Sequence, residues 1–164
     1  GHVLEGVLGE EECGRLVAAT EAMAYSFWHP TSDRRDFRNA DTVEVTCVPF
    51  AERVWARMRE HVTRTVRIGA TRGDGSANPR WSRELEGTWT AVGLNPCLLF
   101  NRYPAGGHFS PHTDGYSIVD FNTRSLYSVI IYLNRCEGGA TRMMEESGEA
   151  LGDHCQEQFV RDEA

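Results

Sequence analysis

Residues 98–114 read LLFNRYPAGGHFSPHTD, a strand-like run that passes through a Gly-Gly turn into a His-x-Asp motif. Alternating apolar and polar residues before Pro104 indicate one strand, and residues 107–112 indicate a second. Side chains two residues apart on a strand point to the same face, so we predict that His112 and Asp114 project side by side. An imidazole beside a carboxylate can supply two of the three protein ligands of a facial iron site.

Helices precede this motif and short strands surround it. Three glutamates at 10–12 suit the first turn of a helix that ends near Met23. Pro49 begins a second helix, whose apolar residues recur every four positions as far as Val66. Further strand-like segments are 42–47, 89–94, 98–103, 107–112, 125–133 and 140–144. Helices followed by a mostly β body predict an α+β fold, in which the helices pack on an antiparallel sheet or sandwich.

The composition is that of one globular domain. The chain has 164 residues, of which 40% are hydrophobic and 25% charged. Its formal net charge of −7 argues against a nucleic-acid module that works by bulk electrostatics. No apolar run approaches the ~18 residues of a membrane span. Five cysteines without a CxxC pair predict free thiols. Since no signal peptide is visible, we expect a cytoplasmic protein. The negative charge and the lack of a long apolar run predict that it binds neither nucleic acid nor membrane.

Segments on both sides of the His-x-Asp motif follow one another in an order typical of a known enzyme family. They are an Arg-Tyr pair (102–103), a Gly-Gly turn (106–107), the aromatic Phe109, the motif itself, a Tyr-Leu-Asn strand end (132–134) and a Gly-Gly-Ala-Thr turn (138–141). In this order the sequence resembles the 2-oxoglutarate- and Fe(II)-dependent oxygenases of the prolyl 4-hydroxylase type. The resemblance covers residues 3–141 and is most specific over 100–141.

The resemblance implies a double-stranded β-helix, the jelly-roll or cupin-like architecture, with the N-terminal helices packed on its major sheet. Residues 1–164 would form a single oxygenase domain. It further implies that His112 and Asp114 bind iron, and that the Tyr103 hydroxyl donates a hydrogen bond to a carboxylate of 2-oxoglutarate. Tyr132 would line the co-substrate pocket. For both tyrosines, packing in the core is the alternative.

Members of the family have a third iron ligand, a histidine well after the second Gly-Gly turn, and beyond it a basic residue that binds the distal carboxylate of 2-oxoglutarate. The only histidine after Asp114 is His154, and the only arginine after that is Arg161. Two interpretations stay open. Either His154 is the third ligand and Arg161 the carboxylate-binding residue, or the sequence stops before the distal strands. In the second case the jelly roll lacks its C-terminal strands, and we expect weak iron binding.

The activity that the resemblance implies is oxidative. A non-haem dioxygenase of this type decarboxylates 2-oxoglutarate to succinate and hydroxylates a side chain of a protein or peptide, such as proline, rather than a small molecule. Fe(II) and 2-oxoglutarate would be its cofactors, with ascorbate (vitamin C) as a further one. One alternative is a catalytically incomplete relative that acts as a binding or interaction module. Another is a hydrolase built on the His–Asp pair, but no HExxH-type pattern is present.

Overall fold

Two helices and seven strands make up the regular structure of this computed structural model, which describes residues 2–29, 34–78 and 83–144. The elements, in chain order, are α1 Glu10–Glu21, β1 Ser26–Phe27, β2 Asp41–Thr46, α2 Val48–Met58, β3 Thr65–Ile68, a 3₁₀ turn Arg83–Leu85, β4 Gly87–Thr90, β5 Cys97–Arg102, β6 Ile118–Asp120 and β7 Thr123–Arg124. All of the strand pairs are antiparallel. The predicted α+β class is therefore confirmed.

The first helix begins where the sequence predicts it. Glu10, Glu11 and Glu12 occupy the first turn of α1, where acidic groups interact favourably with the positive end of the helix dipole. The Gly9 backbone N–H donates a hydrogen bond of 3.0 Å to Glu12 Oε2, which satisfies one of the free N–H groups at the helix end. Both signals are local, which is why the sequence alone locates this end of the helix.

The second helix begins as predicted but ends early. Pro49 lies in its first turn, and Val54 and Met58 are buried on its apolar face. The prediction that the helix continues to Val66 is wrong, because residues 65–68 form β3 and pair with β4. Residues 62–66 include four β-branched side chains, which lose rotamer freedom in a helix and pack well in a strand.

The largest sheet leads the chain into the His-x-Asp motif. Its strand order is β1-β2-β5, and β2 pairs with β5 along its whole length. Val43 lies opposite Phe100 and Val45 opposite Leu98, all of them half-buried on one face. Strand β5 ends at Arg102, from where the chain turns back toward the loop that precedes β2.

Arg102 joins three elements at this edge of the sheet. Its guanidinium donates to Glu21 at the end of α1 (2.7 Å) and to Asp41 at the start of β2 (3.0 Å). The same group lies over the ring of Tyr25, 4.5 Å from its centroid. Arg102 therefore links the end of β5 to α1 and to the start of β2.

The later strand-like segments do not form the predicted strands. Residues 125–133 form no strand, and residues 107–112 and 140–144 each contribute only one bridge residue, Phe109 and Met144. A strand exists only where a neighbouring strand exchanges backbone hydrogen bonds with it. Within the described ranges Ser125 N–H donates to Ser117 O at 2.9 Å, but no strand pairs with 126–133. Ile130 is consequently 58% exposed.

The sheets formed by the described residues have three, two and two strands, and they do not close into a barrel. The jelly roll, and the packing of the helices on its major sheet, stay predictions. Among the helices in the described ranges, none is long and apolar enough to cross a membrane.

Candidate metal centre

The segment that carries the His-x-Asp motif is held against the loop 34–39 by backbone hydrogen bonds. Asn39 N–H donates to His108 O, and Ser110 N–H donates to Phe37 O, each at 2.8 Å. Between these bonds Arg38 and Phe109 form an antiparallel bridge pair. Two loops far apart in sequence are thus paired like strands, directly before the motif.

Two glycines allow this approach. Gly106 has a φ of +73°, in the left-handed region that favours glycine. A Cβ at Gly107 would lie 2.8 Å from Pro104 O and 3.0 Å from Asn39 O, both of them backbone atoms. Only glycine therefore fits at 107 without moving one of the two loops.

His112 and Asp114 face each other beyond this turn. His112 Nε2 lies 3.1 Å from Asp114 Oδ1, so the predicted side-by-side arrangement is confirmed. The prediction that the two residues lie on a strand is wrong, because residues 111–117 form no regular strand. Pro111 has no backbone N–H with which to continue a ladder.

The other ring nitrogen of His112 determines what the pair can do. Nδ1 lies 2.8 Å from the Ser110 carbonyl oxygen, which can only accept, so we assign the ring hydrogen to Nδ1. In the neutral ring Nε2 then directs a lone pair at the Asp114 carboxylate, which is also an acceptor. With Nε2 protonated the same contact is a hydrogen bond to Asp114 Oδ1, and in the neutral ring a metal cation that takes both atoms as ligands would make it attractive.

The spacing of the pair fits a metal ion. Two ligand atoms about 2.1 Å from a metal and at right angles to each other are about 3.0 Å apart. The observed separation of His112 Nε2 and Asp114 Oδ1 is 3.1 Å. A backbone carbonyl that holds the second nitrogen of a metal-binding histidine is a usual supporting contact. The side chains are 30% and 51% exposed, so the site opens to solvent.

Aromatic rings support the imidazole on one side. Phe109 stacks on His112 with ring centroids 3.6 Å apart and planes inclined by 17°. Phe37 meets Phe109 edge-to-face at 5.4 Å, and its centroid lies 6.4 Å from that of His112. Phe37 is a residue of the site that the sequence motifs did not reveal. The signal available was a single aromatic residue among the arginines of 34–38, which read RRDFR.

Neither of the two candidate tyrosines is a core residue. Tyr103 directly follows β5 and is 44% exposed, and Tyr132 is 47% exposed. The Tyr132 hydroxyl shares a short hydrogen bond with the Thr141 hydroxyl. The structure brings together the predicted pair His112 and Asp114, but across the described residues it gives neither tyrosine a hydrogen bond or ring contact with that pair.

A third ligand is not located by the structure. His154 and Arg161 lie outside the described residues. Within the described ranges, no group of three or more His, Cys, Asp or Glu side chains is arranged to hold a metal ion. The remaining histidine near the motif, His108, lies 3.0 Å through its ring Nε2 from the Asp36 carbonyl oxygen, and so helps to join the two loops.

Comparison with known proteins gives no relative from which to transfer a function. No family model, no curated protein and no solved structure matches this chain. A function for the chain is therefore inferred from the order of the sequence motifs and from the geometry of His112 and Asp114.

Proposed function

We propose that this chain is a non-haem Fe(II)/2-oxoglutarate-dependent dioxygenase that hydroxylates a side chain of a protein or peptide, in the manner of prolyl 4-hydroxylases. The observation that carries the proposal is the His112–Asp114 pair, whose acceptor atoms converge at 3.1 Å while Ser110 O holds the other ring nitrogen. The fold that we propose with it is the jelly roll.

The chemistry of the donors supports iron. One imidazole and one carboxylate are two members of the 2-His-1-carboxylate set, which leaves coordination positions open for oxygen and a co-substrate. We propose His154 as the third ligand and Arg161 as the residue that pairs with the distal carboxylate of 2-oxoglutarate. Arginine suits that role because its planar guanidinium binds a carboxylate through two hydrogen bonds. Tyr103 and Tyr132 are the proposed co-substrate contacts.

The residues of the chain act by binding and orienting. Ser110 O keeps the ring hydrogen on Nδ1 and leaves Nε2 available, while Asp114 supplies the negative charge that a divalent cation requires. Iron and 2-oxoglutarate would, when bound, let molecular oxygen act as the oxidant: one oxygen atom enters the substrate hydroxyl and the other enters succinate, carbon dioxide leaves, and ascorbate is an additional reductant. Both ligand side chains are partly exposed, so the site is accessible from solvent.

The direct test is succinate formation from 2-oxoglutarate with Fe(II) and ascorbate, with and without a proline-containing peptide. We expect turnover by the wild-type chain and at least a 100-fold loss in the His112→Ala variant. His154→Ala should lose as much if His154 is the third ligand. His61→Ala, which removes an exposed histidine outside the motif, should retain the wild-type rate and serves as the control.

Metal binding distinguishes an oxygenase from a catalytically incomplete relative. We expect Co(II), an oxygen-stable substitute for Fe(II), to bind the wild-type chain and to bind His112→Ala far more weakly. If Co(II) affinity does not depend on His112 and no succinate forms, the oxygenase proposal is wrong. The chain is then better described as a catalytically incomplete relative that acts as a binding module.

A further inference from the structure

We infer that Arg38 is a positioning residue, which fixes the plane of the His112 imidazole by acting through the ring of Phe109. The inference deepens the proposed function and rests on it, because it concerns the orientation of one proposed metal ligand. Arg38 lies in the loop 34–39, which pairs with the segment before the motif.

The three groups form a stack. The guanidinium carbon of Arg38 lies 4.5 Å from the centroid of the Phe109 ring, and the His112 ring lies 3.6 Å from the same centroid. Two groups at these distances cannot share one face of a ring without overlapping. Phe109 is therefore held between the cation on one face and the imidazole on the other.

Arg38 is itself fixed in place. Its side chain is among the most buried polar groups of the described residues, with 7% of its surface exposed, and a short hydrogen bond joins it to Asn101 Oδ1 on β5. Its guanidinium also lies 5.4 Å from the centroid of the Trp28 ring. The Trp28 indole N–H donates to the Arg38 backbone oxygen at 2.6 Å, so the tryptophan contacts both ends of the residue.

The electrostatics of Arg38 are unusual for a buried cation. Among the described residues no carboxylate pairs with it, and its Nε has no hydrogen-bond partner. The negative faces of Trp28 and Phe109 take the place of an acidic partner. A buried charge held by ring faces attracts those rings into one orientation, which a neutral side chain of equal size does not do.

Two restraints then determine the direction of the metal-binding nitrogen. The ring of Phe109 sets the plane of the imidazole, and the hydrogen bond to Ser110 O sets its rotation within that plane. Together they direct His112 Nε2 at Asp114 Oδ1. Without the stack, the exposed imidazole is free to rotate about its χ2 angle and to turn Nε2 away from the carboxylate.

The test compares variants that keep or remove the stack. Phe109→Leu keeps the apolar volume and removes the ring face, and Phe109→Tyr keeps the face. Arg38→Met replaces the cation with a neutral side chain of similar length, whereas Arg38→Lys keeps a cation at that position. The matched control is Arg35→Met, since Arg35 lies in the same loop and its guanidinium is over a different ring, Phe27, at 4.2 Å.

Two measurements are made on each variant. The first is the Kd for Co(II), which we expect Phe109→Leu and Arg38→Met to raise about 10-fold, a usual effect of losing a supporting contact. Phe109→Tyr, Arg38→Lys and Arg35→Met should stay within about 2-fold of the wild-type Kd. The second is the NMR spectrum of the metal-free protein, in which the His112 Hε1 resonance carries a ring-current shift from Phe109. We expect Arg38→Met to reduce that shift.

These measurements distinguish a failure of the Arg38 inference from a failure of the proposed oxygenase function. If Arg38→Met folds, as judged by its thermal transition, and keeps both the wild-type Hε1 shift and the wild-type Kd, the inference is overturned. If Arg38→Met does not fold, Phe109→Leu decides, and a wild-type Kd in that variant overturns the inference equally. If wild-type Co(II) binding does not depend on His112, the proposed function fails, while the metal-free NMR spectra still test the positioning.

Discussion

Arg57 on α2 holds Glu12 on α1 through two hydrogen bonds, Nη1 to Oε2 at 2.8 Å and Nη2 to Oε1 at 2.9 Å. Arg57 Nη1 also donates to the Val7 backbone oxygen at 2.8 Å, so the same side chain ties the N-terminal segment to both helices. The two bonds from Arg57, together with that from Gly9 N–H, lower the pKa of the Glu12 carboxyl from 4.5 to about 2.

This contact predicts how stability depends on pH. A carboxyl whose pKa is lower in the folded state stabilises the fold above its ordinary pKa, and that contribution is lost as the pH falls through the folded value. For Glu12 the window runs from pH 4.5 down to about 2. We expect the urea midpoint of Glu12→Gln to fall less than that of the wild type between pH 5 and pH 2.5. Parallel curves for the two proteins would contradict this.

The close approach at Gly107 predicts a large cost for one added methyl group. Its Cβ would lie 2.8 Å from Pro104 O, so Gly107→Ala should lower the free energy of unfolding by about 1–3 kcal/mol. Gly14→Ala is the matched control, because Gly14 lies within α1 and a Cβ added there would meet nothing within 4 Å. There alanine should stabilise by about 0.5–1 kcal/mol. Urea denaturation of both variants checks the opposite signs.

The buried face of α2 predicts that replacing valine by alanine lowers the free energy of unfolding more at Val54 than at Val48. Val54 is 1% exposed and Val48 is 49% exposed. Val54→Ala removes buried methyl groups and leaves a cavity, so we expect a loss of about 2 kcal/mol in the free energy of unfolding. Val48→Ala should change it by less than about 0.5 kcal/mol. Equal losses in thermal or urea unfolding would show that α2 does not bury its Val54 face.

The candidate metal centre predicts that metal affinity depends on the negative charge of Asp114. Asp114→Asn keeps the shape of the side chain but removes the negative charge that faces His112 Nε2. We expect its Kd for Co(II) to rise at least 10-fold, measured by calorimetric titration. Asp120→Asn is the control, because among the described residues the Asp120 carboxylate accepts a hydrogen bond only from Asn122 N–H, in the turn between β6 and β7. A similar loss in both variants would count against a site at Asp114.

The described part of the molecule shows how far local signals extend. The start of α1 at Glu10, the start of α2 beside Pro49 and the pairing of His112 with Asp114 all follow from residues within four positions of one another. Such arrangements depend on capping groups, on the fixed φ of proline and on short-range spacing, and each of these is visible in the sequence.

Other features depend on residues that are far apart in the chain. Residues 125–133 have the composition of a strand, yet a strand needs a neighbour that no local pattern supplies. Likewise α2 ends at Met58 because residues 65–68 pair with β4, some twenty residues later. Hydrogen bonding across the sheet therefore favours a strand at 65–68, and the intrinsic preference of these residues for strands adds to it.

The two candidate ligands can be named from the sequence, since the His-x-Asp spacing brings Nε2 of His112 within reach of Asp114. How the imidazole is held depends on contacts between distant parts of the chain. Phe37 and Arg38 reach Phe109 and His112 across about seventy residues of chain, through backbone pairing between two loops. Contacts of that separation depend on how the whole chain folds back on itself, and no periodicity within either segment encodes them.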